Sequence, residues 1–328
     1  MNKMNKKVIA VITAIMLLAT CLTGCGGGGD KAAEPARISF ASGGTSGTYY
    51  PIAGAISTLW TDKVEGLTVD VQSTGASAEN LNLINKGEAE VALVQNDVMY
   101  YAYTATESFA GVDKNESFLT LGTVYPEVVQ LVVAGDAGIE TLADLKGKAV
   151  SIGDVGSGVE SNAKQILAAA GIGLDEITVR NLGFGESANG IKDKTLDAAF
   201  VTAGTPTTAV TELAATNDIK VLSLDQAVID QLCADYGYYT EFVIPADVYG
   251  TDADAKTVAV KATIVVKADL SEGLVYNMTK ALFENLDVVA ESHAKGKELS
   301  LKGAVDGVSV PLHPGAAKYY AEQGLDVE

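Results

Sequence analysis

The sequence predicts an α/β fold of two doubly wound lobes built on mainly parallel sheets. Three observations carry that reading. From Arg37 onward, short β-branched runs alternate with amphipathic stretches, the pattern of strands linked by crossover helices. About 300 residues follow the leader described below, more than a single apolar core usually serves. Two long β-rich runs, 123–133 and 258–266, interrupt the alternation where the chain would cross between lobes and return. The expected division gives 37–130 and 262–328 to lobe 1 and 131–261 to lobe 2, joined by hinge strands near Val128 and Val260.

The chain opens with Lys3, Lys6 and Lys7, then an apolar stretch from Val8 to about Leu22. That stretch is about 15 residues, short of the roughly 20 that span a bilayer, with basic residues before it and small ones after. Leu22-Thr23-Gly24-Cys25 is a lipobox pattern. Residues 1–24 are therefore expected to be a lipoprotein signal peptide, Cys25 the lipidated residue, and 25–36 a Gly-rich tether. The location this implies is extracytoplasmic, anchored to the cell membrane, and periplasmic where an outer membrane exists. Once Cys21 leaves and Cys25 takes lipid, Cys233 stands alone, so no internal disulfide is expected.

The first unit reads as strand Ile38–Ala41, a loop from Ser42 to Pro51, and a helix with Ile52, Ile56, Leu59 and Trp60 on one face. The second is strand Thr68–Val71, loop Gln72–Ser77, and a helix from about Ala78 with Ser77 as N-cap and Gly87 as its end. A third strand, Val91–Val94, ends in Gln95-Asn96-Asp97. After the first crossing come helix Leu142–Gly147, strand Ala149–Ile152, loop Gly153–Gly158, and a helix with Val159, Ala163, Ile166, Leu167 and Ala170 on one face, stopping at Gly171. Strands near 178–181, 198–201 and 220–222 continue lobe 2, and the helix-rich segment from Ser271 returns to lobe 1.

Loss of Lys3, Lys6 and Lys7 takes the formal charge from −19 to −22, which excludes nucleic acid as an expected partner. Three Gly/Ser/Thr-rich loops each follow a strand and precede a helix, two in lobe 1 and one in lobe 2, placing amides, hydroxyls and helix N-termini at one cleft. One helix terminus contributes roughly 0.3–1 kcal/mol toward an anion, up to about 2 when partly buried, so several must converge. Arg37 and Arg180 are the only arginines, one before a strand and one within a strand, and neither is placed to clamp a carboxylate.

These residues resemble the TAXI family, the binding components of TRAP (tripartite ATP-independent periplasmic) transporters. The match runs through Gly43-Gly44-Thr45-Ser46-Gly47-Thr48-Tyr49-Tyr50-Pro51, Ser73-Thr74-Gly75-Ala76-Ser77, Gln95-Asn96-Asp97-Val98, Tyr125-Pro126-Glu127, Leu145-Lys146-Gly147-Lys148, Gly156-Ser157-Gly158, and Val310-Pro311-Leu312-His313-Pro314-Gly315-Ala316. The resemblance implies a type II periplasmic-binding-protein fold. It also implies a monomer that binds a small anionic solute (glutamate, glutamine, 2-oxoglutarate or a related dicarboxylate) and delivers it to TRAP permease subunits. By position it points to Thr45, Ser46, Thr48, Tyr49, Ser73, Thr74, Ser77, Gln95 and Tyr125, with Ser157, Phe184 in a Phe184–Ser187 turn, and Thr202 from lobe 2. The sequence departs from the family pattern at Gly158, where many relatives carry Thr, and at Asn96, where a small residue is frequent.

No enzyme, cofactor or metal is expected. Gly153–Gly158 is out of register for a dinucleotide fingerprint and no P-loop completes. Ser161-Asn162-Ala163-Lys164 lacks the companion motifs of penicillin-recognising enzymes. His293 and His313 are about 20 residues apart without neighbouring ligands, and His313 is expected to stabilise a C-terminal turn. The competing class is a lipoprotein sensor that passes ligand occupancy to a receptor or kinase.

Overall fold

The computed structural model describes residues 36–327; the expected signal peptide 1–24, the lipidated Cys25 and tether residues 25–35 lie outside the described residues. Strand β1 (Ala36–Ala41) pairs in parallel with β2 (Leu67–Gln72) and β3 (Val91–Gln95). Helix α1 (Tyr49–Lys63) links β1 to β2, α2 (Ser77–Lys86) links β2 to β3, and α3 (Asn96–Thr104) follows. The crossing strand β4 (Phe118–Ala134) is 17 residues long. Beyond it run β5 (Ala149–Ser151), α4 (Gly158–Ala169), β6 (Thr178–Arg180), α5 (Phe184–Lys192), β7 (Ala198–Ala203), α6 (Thr208–Ala214), β8 (Ile219–Leu222), α7 (Gln226–Asp235) and β9 (Thr240–Ile244). The returning strand β10 (Ala255–Lys267) leads to α8 (Glu272–Phe283), α9 (Leu286–Ser292) and α10 (Pro314–Glu322).

One continuous sheet results, in the order β2-β1-β3-β10-β4-β7-β5-β6, with β8 added to β4 and β9 to β10. The mainly parallel pairing expected holds at the flanks, where β1 pairs with β2 and β3, and β5 with β6 and β7. The centre is antiparallel, because β4 and β10 run against each other and against β3 and β7. Each crossing strand therefore serves both ends of the sheet.

The apolar clusters divide along the same line. One end is packed by Phe40, Ile52, Ile56, Trp60 and Val91 with Ile264, Met278 and Tyr320, and the other by Val129, Leu131, Val150, Ile166, Phe200 and Val258. Within β4, Val129, Leu131 and Val133 face one cluster while Val128, Val132 and Ala134 face another, the period-2 alternation of a strand buried on both sides. All four apolar positions read for the first helix are buried. Trp60 anchors it: its indole stacks on Phe40 at 5.7 Å and its Nε1 donates to the Met278 carbonyl at 2.8 Å, tying α1 to α8. Gly87 and Gly171 end their helices at positive φ (+73° and +68°), as expected for glycine at a C-terminus. The expected helix at 142–147 is only a 3₁₀ turn over Leu142–Leu145: the Asp144 carboxylate caps its start by accepting the Thr141 amide at 2.8 Å, and the chain leaves helical conformation at Lys146 and turns at Gly147 with φ +78°.

Replacing Trp60 by Phe removes the indole hydrogen bond and part of the ring's packing in the core. A loss of about 2 kcal/mol of unfolding free energy is expected. Urea denaturation followed by far-UV circular dichroism measures it, since Trp60 is the only tryptophan.

Candidate functional site

A cavity of about 300 Å³ lies between the two ends of the sheet, at the small end of the range for ligand sites. Its walls are loops at the carboxyl ends of strands: 43–48 after β1, 73–76 after β2, Gln95 closing β3, 154–158 after β5, 183–186 after β6, and Thr202 and Ala203 ending β7. This is the edge at which open α/β sheets bind ligands. One lining residue breaks the rule: Glu127 comes from the middle of β4.

Nine of the residues expected from sequence line this cavity: Thr45, Ser46, Thr48, Tyr49, Ser73, Gln95, Ser157, Phe184 and Thr202. Three stand off its wall. The Thr74 hydroxyl donates to Asn80 Oδ1 at 2.6 Å, and Tyr125 is packed into the core behind Glu127. Ser77 is the first residue of α2 rather than its N-cap, and its hydroxyl accepts the Gln95 amide at 3.1 Å. Ala76 holds the cap position instead, at φ +72°, a conformation that side-chain-bearing residues rarely adopt and that marks the cavity wall as strained. Phe184–Ser187, expected as a turn, is the first turn of α5.

The two ends of the sheet touch over the cavity. The Thr48 hydroxyl donates to the Gly204 carbonyl at 3.3 Å, the Ala209 amide to the Ser46 carbonyl at 3.2 Å, and the Ala78 amide to the Gly156 carbonyl at 3.1 Å. Glycine permits this approach at Gly47, where a Cβ would press the Phe184 ring at 3.3 Å, and at Gly185, where one would meet Ser46 Oγ at 2.8 Å.

The electrostatics differ from the three-loop anion site that the sequence predicts. Three of the helix N-termini at the cleft are met by the chain's own glutamates. Glu79 Oε2 accepts the Gly75 amide ahead of α2 at 2.7 Å, Glu160 Oε2 the Gly156 amide ahead of α4 at 2.7 Å, and Glu186 Oε2 the Gly183 amide ahead of α5 at 3.3 Å. A carboxylate held there takes one amide at the helix start and offsets the positive pole. The first turns of α1 and α6 carry no acid, and in α6 the Ala209 amide is already taken by the Ser46 carbonyl. Arg37, as expected, is remote, paired with Asp70 at 2.5 Å near the opposite ends of β1 and β2.

The wall itself is acidic. Glu127, Asp154 and Glu186 line it, and among the described residues no Lys or Arg does. Glu127 is 2 % exposed; its Oε2 accepts the Tyr49 hydroxyl at 2.5 Å, while Oε1 takes no protein hydrogen bond. Burial pushes the Glu127 carboxyl well above the ordinary range, the Tyr49 bond opposes the rise, and nearby Asp97 adds to it. Burial also raises Asp154, with Glu186 and Glu79 contributing repulsion. Thr202, 4 % exposed, has an Oγ1 without any hydrogen-bond partner. Glu127 escapes a reading that looks for Gly-rich loops, yet a lone acid inside an apolar 17-residue strand was a visible signal.

Beneath the cavity a buried polar chain joins the two ends. Gln95 Nε2 donates to Asn162 Oδ1 at 2.7 Å; Asn162 Nδ2 donates to Asp97 Oδ2 and to the Tyr239 hydroxyl, each at 2.8 Å; Tyr239 donates to Gln165 Oε1 at 2.7 Å. Gln165 Nε2 in turn donates to the Tyr101 hydroxyl at 2.8 Å, which bonds Tyr238. This chain accounts for one family departure: a Cβ at Gly158 would strike the Gln95 side-chain amide. The other, Asn96, accepts the Lys261 amide at 3.0 Å and so holds β10 to the start of α3.

Burial raises Asp97 to about 6, with the Asn162 hydrogen bond opposing. An acid raised in the folded state contributes stability that is complete below the unfolded value near 4 and is lost as pH climbs through about 6. Asp97→Asn keeps an acceptor for Asn162 and removes the titration. The wild type should therefore lose about 3 kcal/mol relative to the variant between pH 4 and pH 7.5, read from paired denaturant titrations at the two pH values. A constant difference would show that Asp97 does not titrate there.

Several solved structures share this architecture at low identity. The periplasmic binding protein BugD is 14% identical, with 88% of this chain and 93% of that chain covered and a TM-score of 0.56. PhnD1 from Prochlorococcus marinus, solved with methylphosphonate, is 10% identical over 84% of this chain and 91% of that chain, TM-score 0.53. A binding-protein component of an ABC phosphonate transporter from Pseudomonas aeruginosa is 13% identical over 80% and 79%, TM-score 0.52. These likenesses establish a periplasmic-binding-protein-like α/β fold. A family model matches residues 40–324, nearly all of the described chain, and the protein belongs to the NMT1-like family.

Proposed function

We propose that this chain is an extracytoplasmic solute-binding protein that encloses a small polar solute between its lobes, releases it to a membrane permease, and performs no chemistry on it. The observation that carries this reading is the cavity itself: a half-enclosed space of about 300 Å³ at the carboxyl ends of the strands, with hydrogen bonds between the two halves beside it. The proteins with this fold named above are binding proteins, which supports the same reading. The order of loop motifs from Gly43 to Ala316 supports a TRAP permease as the recipient and a carboxylate on the solute, which the uncovered N-terminus of α1 would receive. Lipidation at Cys25 would hold a monomer at the membrane surface. The histidines support binding over catalysis, since His313 Nδ1 accepts the Gly315 amide at 3.2 Å as the cap of α10 and His293 Nδ1 the Lys295 amide at 3.1 Å.

Opening requires bending where β4 pairs β10, at Val128 opposite Ala259 and Glu127 opposite Val260, and the lobes 37–130 with 262–328 and 131–261 would move as bodies about that point. Small-angle scattering of the full chain should show a smaller radius of gyration on adding a solute that binds by calorimetry. An unchanged radius with confirmed binding would exclude hinge closure.

Thr202→Val tests the wall directly. Its hydroxyl satisfies nothing in the protein, so the variant should be as stable as wild type or more stable by about 1 kcal/mol. Solute affinity should fall roughly tenfold if that hydroxyl meets the ligand, as the loss of one hydrogen bond implies. Thermal melts and calorimetry on the same preparations separate the two effects.

A further inference from the structure

We infer that the solute must carry a cationic nitrogen, an ammonium that sits between Glu127 Oε1 and Thr202 Oγ1, with its carboxylate on the N-terminus of α1; the preferred class is an α-amino acid with an uncharged or cationic side chain, not a dicarboxylate. This rests on the solute-binding reading above and deepens it.

Four observations converge. First, Glu127 and Thr202 both line the cavity, 2 % and 4 % exposed; Glu127 spends Oε2 on the Tyr49 hydroxyl, and Thr202 Oγ1 is buried without any partner. Thr202 pairs with Val129 in the β4–β7 register, so Glu127 and Thr202 lie diagonally on one face of the sheet, a separation that one small ligand group can bridge. An ammonium brings three N–H donors and no acceptor, the complement of two unused oxygens.

Second, glutamates stand ahead of α2, α4 and α5, and in the acid-free first turn of α6 the Ala209 amide is already taken by the Ser46 carbonyl, which leaves α1 as the start best placed for a carboxylate. A second carboxylate would have to lie against Glu127, Asp154 or Glu186. Third, no lysine or arginine of the described residues lines the wall. Lys295 comes close beneath Gly204, but turns its ammonium to Glu298 Oε1 at 2.6 Å. Fourth, Asp154 is raised partly by Glu186 and Glu79, so a positive side chain at that rim relieves repulsion that a negative one would add to.

A proton follows from the same geometry. The groups facing Glu127 are the Tyr49 hydroxyl, Asp97 and, from behind, Tyr125; none is cationic. Burial raises the Glu127 carboxyl in the empty cleft, and an arriving ammonium lowers it again. Binding therefore favours heterolysis of the carboxyl O–H bond, with the electron pair kept on Glu127 and the proton released to solvent.

The test uses the full chain, produced with its own N-terminus in a bacterial host and purified in detergent, with calorimetry against glutamine, alanine, lysine, glutamate, 2-oxoglutarate and succinate. For whichever amino acid binds most tightly, the 2-hydroxy acid of the same skeleton is titrated next. Wild type should bind that amino acid at least 50-fold more tightly than its hydroxy twin. Enthalpies in two buffers of different ionisation heat should show net proton release on binding. In Glu127→Gln the preference should shrink below about fivefold and the proton release should vanish. Should Glu127→Gln not fold, the wild-type comparison and the buffer pair decide alone. Succinate or 2-oxoglutarate binding as tightly as any amino acid overturns this inference and leaves the solute-binding reading intact. If no member of the panel binds, the solute-binding reading falls and this inference falls with it.

Discussion

Two long strands that pair antiparallel, β4 and β10, are the constraint on which the rest of the molecule depends. Each is buried on both faces and contributes side chains to the apolar clusters at both ends of the sheet. Their register places Glu127 opposite Val260 at the point where those clusters divide. Gln130, three positions on, is buried with Thr207 and Tyr249 as hydrogen-bond partners. Glu127 instead lines the space between the clusters. The acid in the cleft is thus a consequence of the crossing, and Tyr49, brought over it by the first turn of α1, supplies the one hydrogen bond that makes its burial tolerable.

That geometry explains why the cleft is closed by so many small contacts rather than by a large apolar surface. Thr48 to Gly204, Ser46 to Ala209 and Gly156 to Ala78 are single hydrogen bonds, each contributing on the order of 1 kcal/mol. A protein that must reopen needs an interface of that kind, since a broad hydrophobic seam would hold the halves shut. The buried chain from Gln95 through Asn162 to Tyr239 is stiffer, being satisfied at nearly every atom, and it positions the halves in register when they meet. Its exception is Asp97 Oδ1, which has no partner.

Much of this was legible in the sequence, and the reasons are local. The face of α1 with Ile52, Ile56, Leu59 and Trp60 repeats at helical spacing, and the loops at 43–48, 73–76 and 154–158 stand between a strand run and a helix run, so their place at the sheet edge follows from chain order. What was not legible depends on register and rotamer. Glu127 is one position in a strand whose alternation says only which face it shares with Val129. The glutamates at 79, 160 and 186 sit three or four residues after Gly75, Gly156 and Gly183, a spacing open equally to a solvated helix face and to a carboxylate folded back on the helix end. Only the hydrogen bonds choose between them.

Those three glutamates change the meaning of the composition. A formal charge of −19 reads at first as an obstacle that an anion-binding site must overcome locally, by gathering several helix ends. Once three of those ends are neutralised from within, nothing local remains strong enough to offset the global field for a doubly negative ligand. For a ligand with an ammonium the conflict disappears: the long-range field attracts its positive group, the acidic rim at Asp154 and Glu186 is the first surface that group meets, and Glu127 receives it inside. Scarcity of arginine then needs no compensation. The charge of the whole surface and the charge of the cleft wall both favour a solute whose positive end enters first.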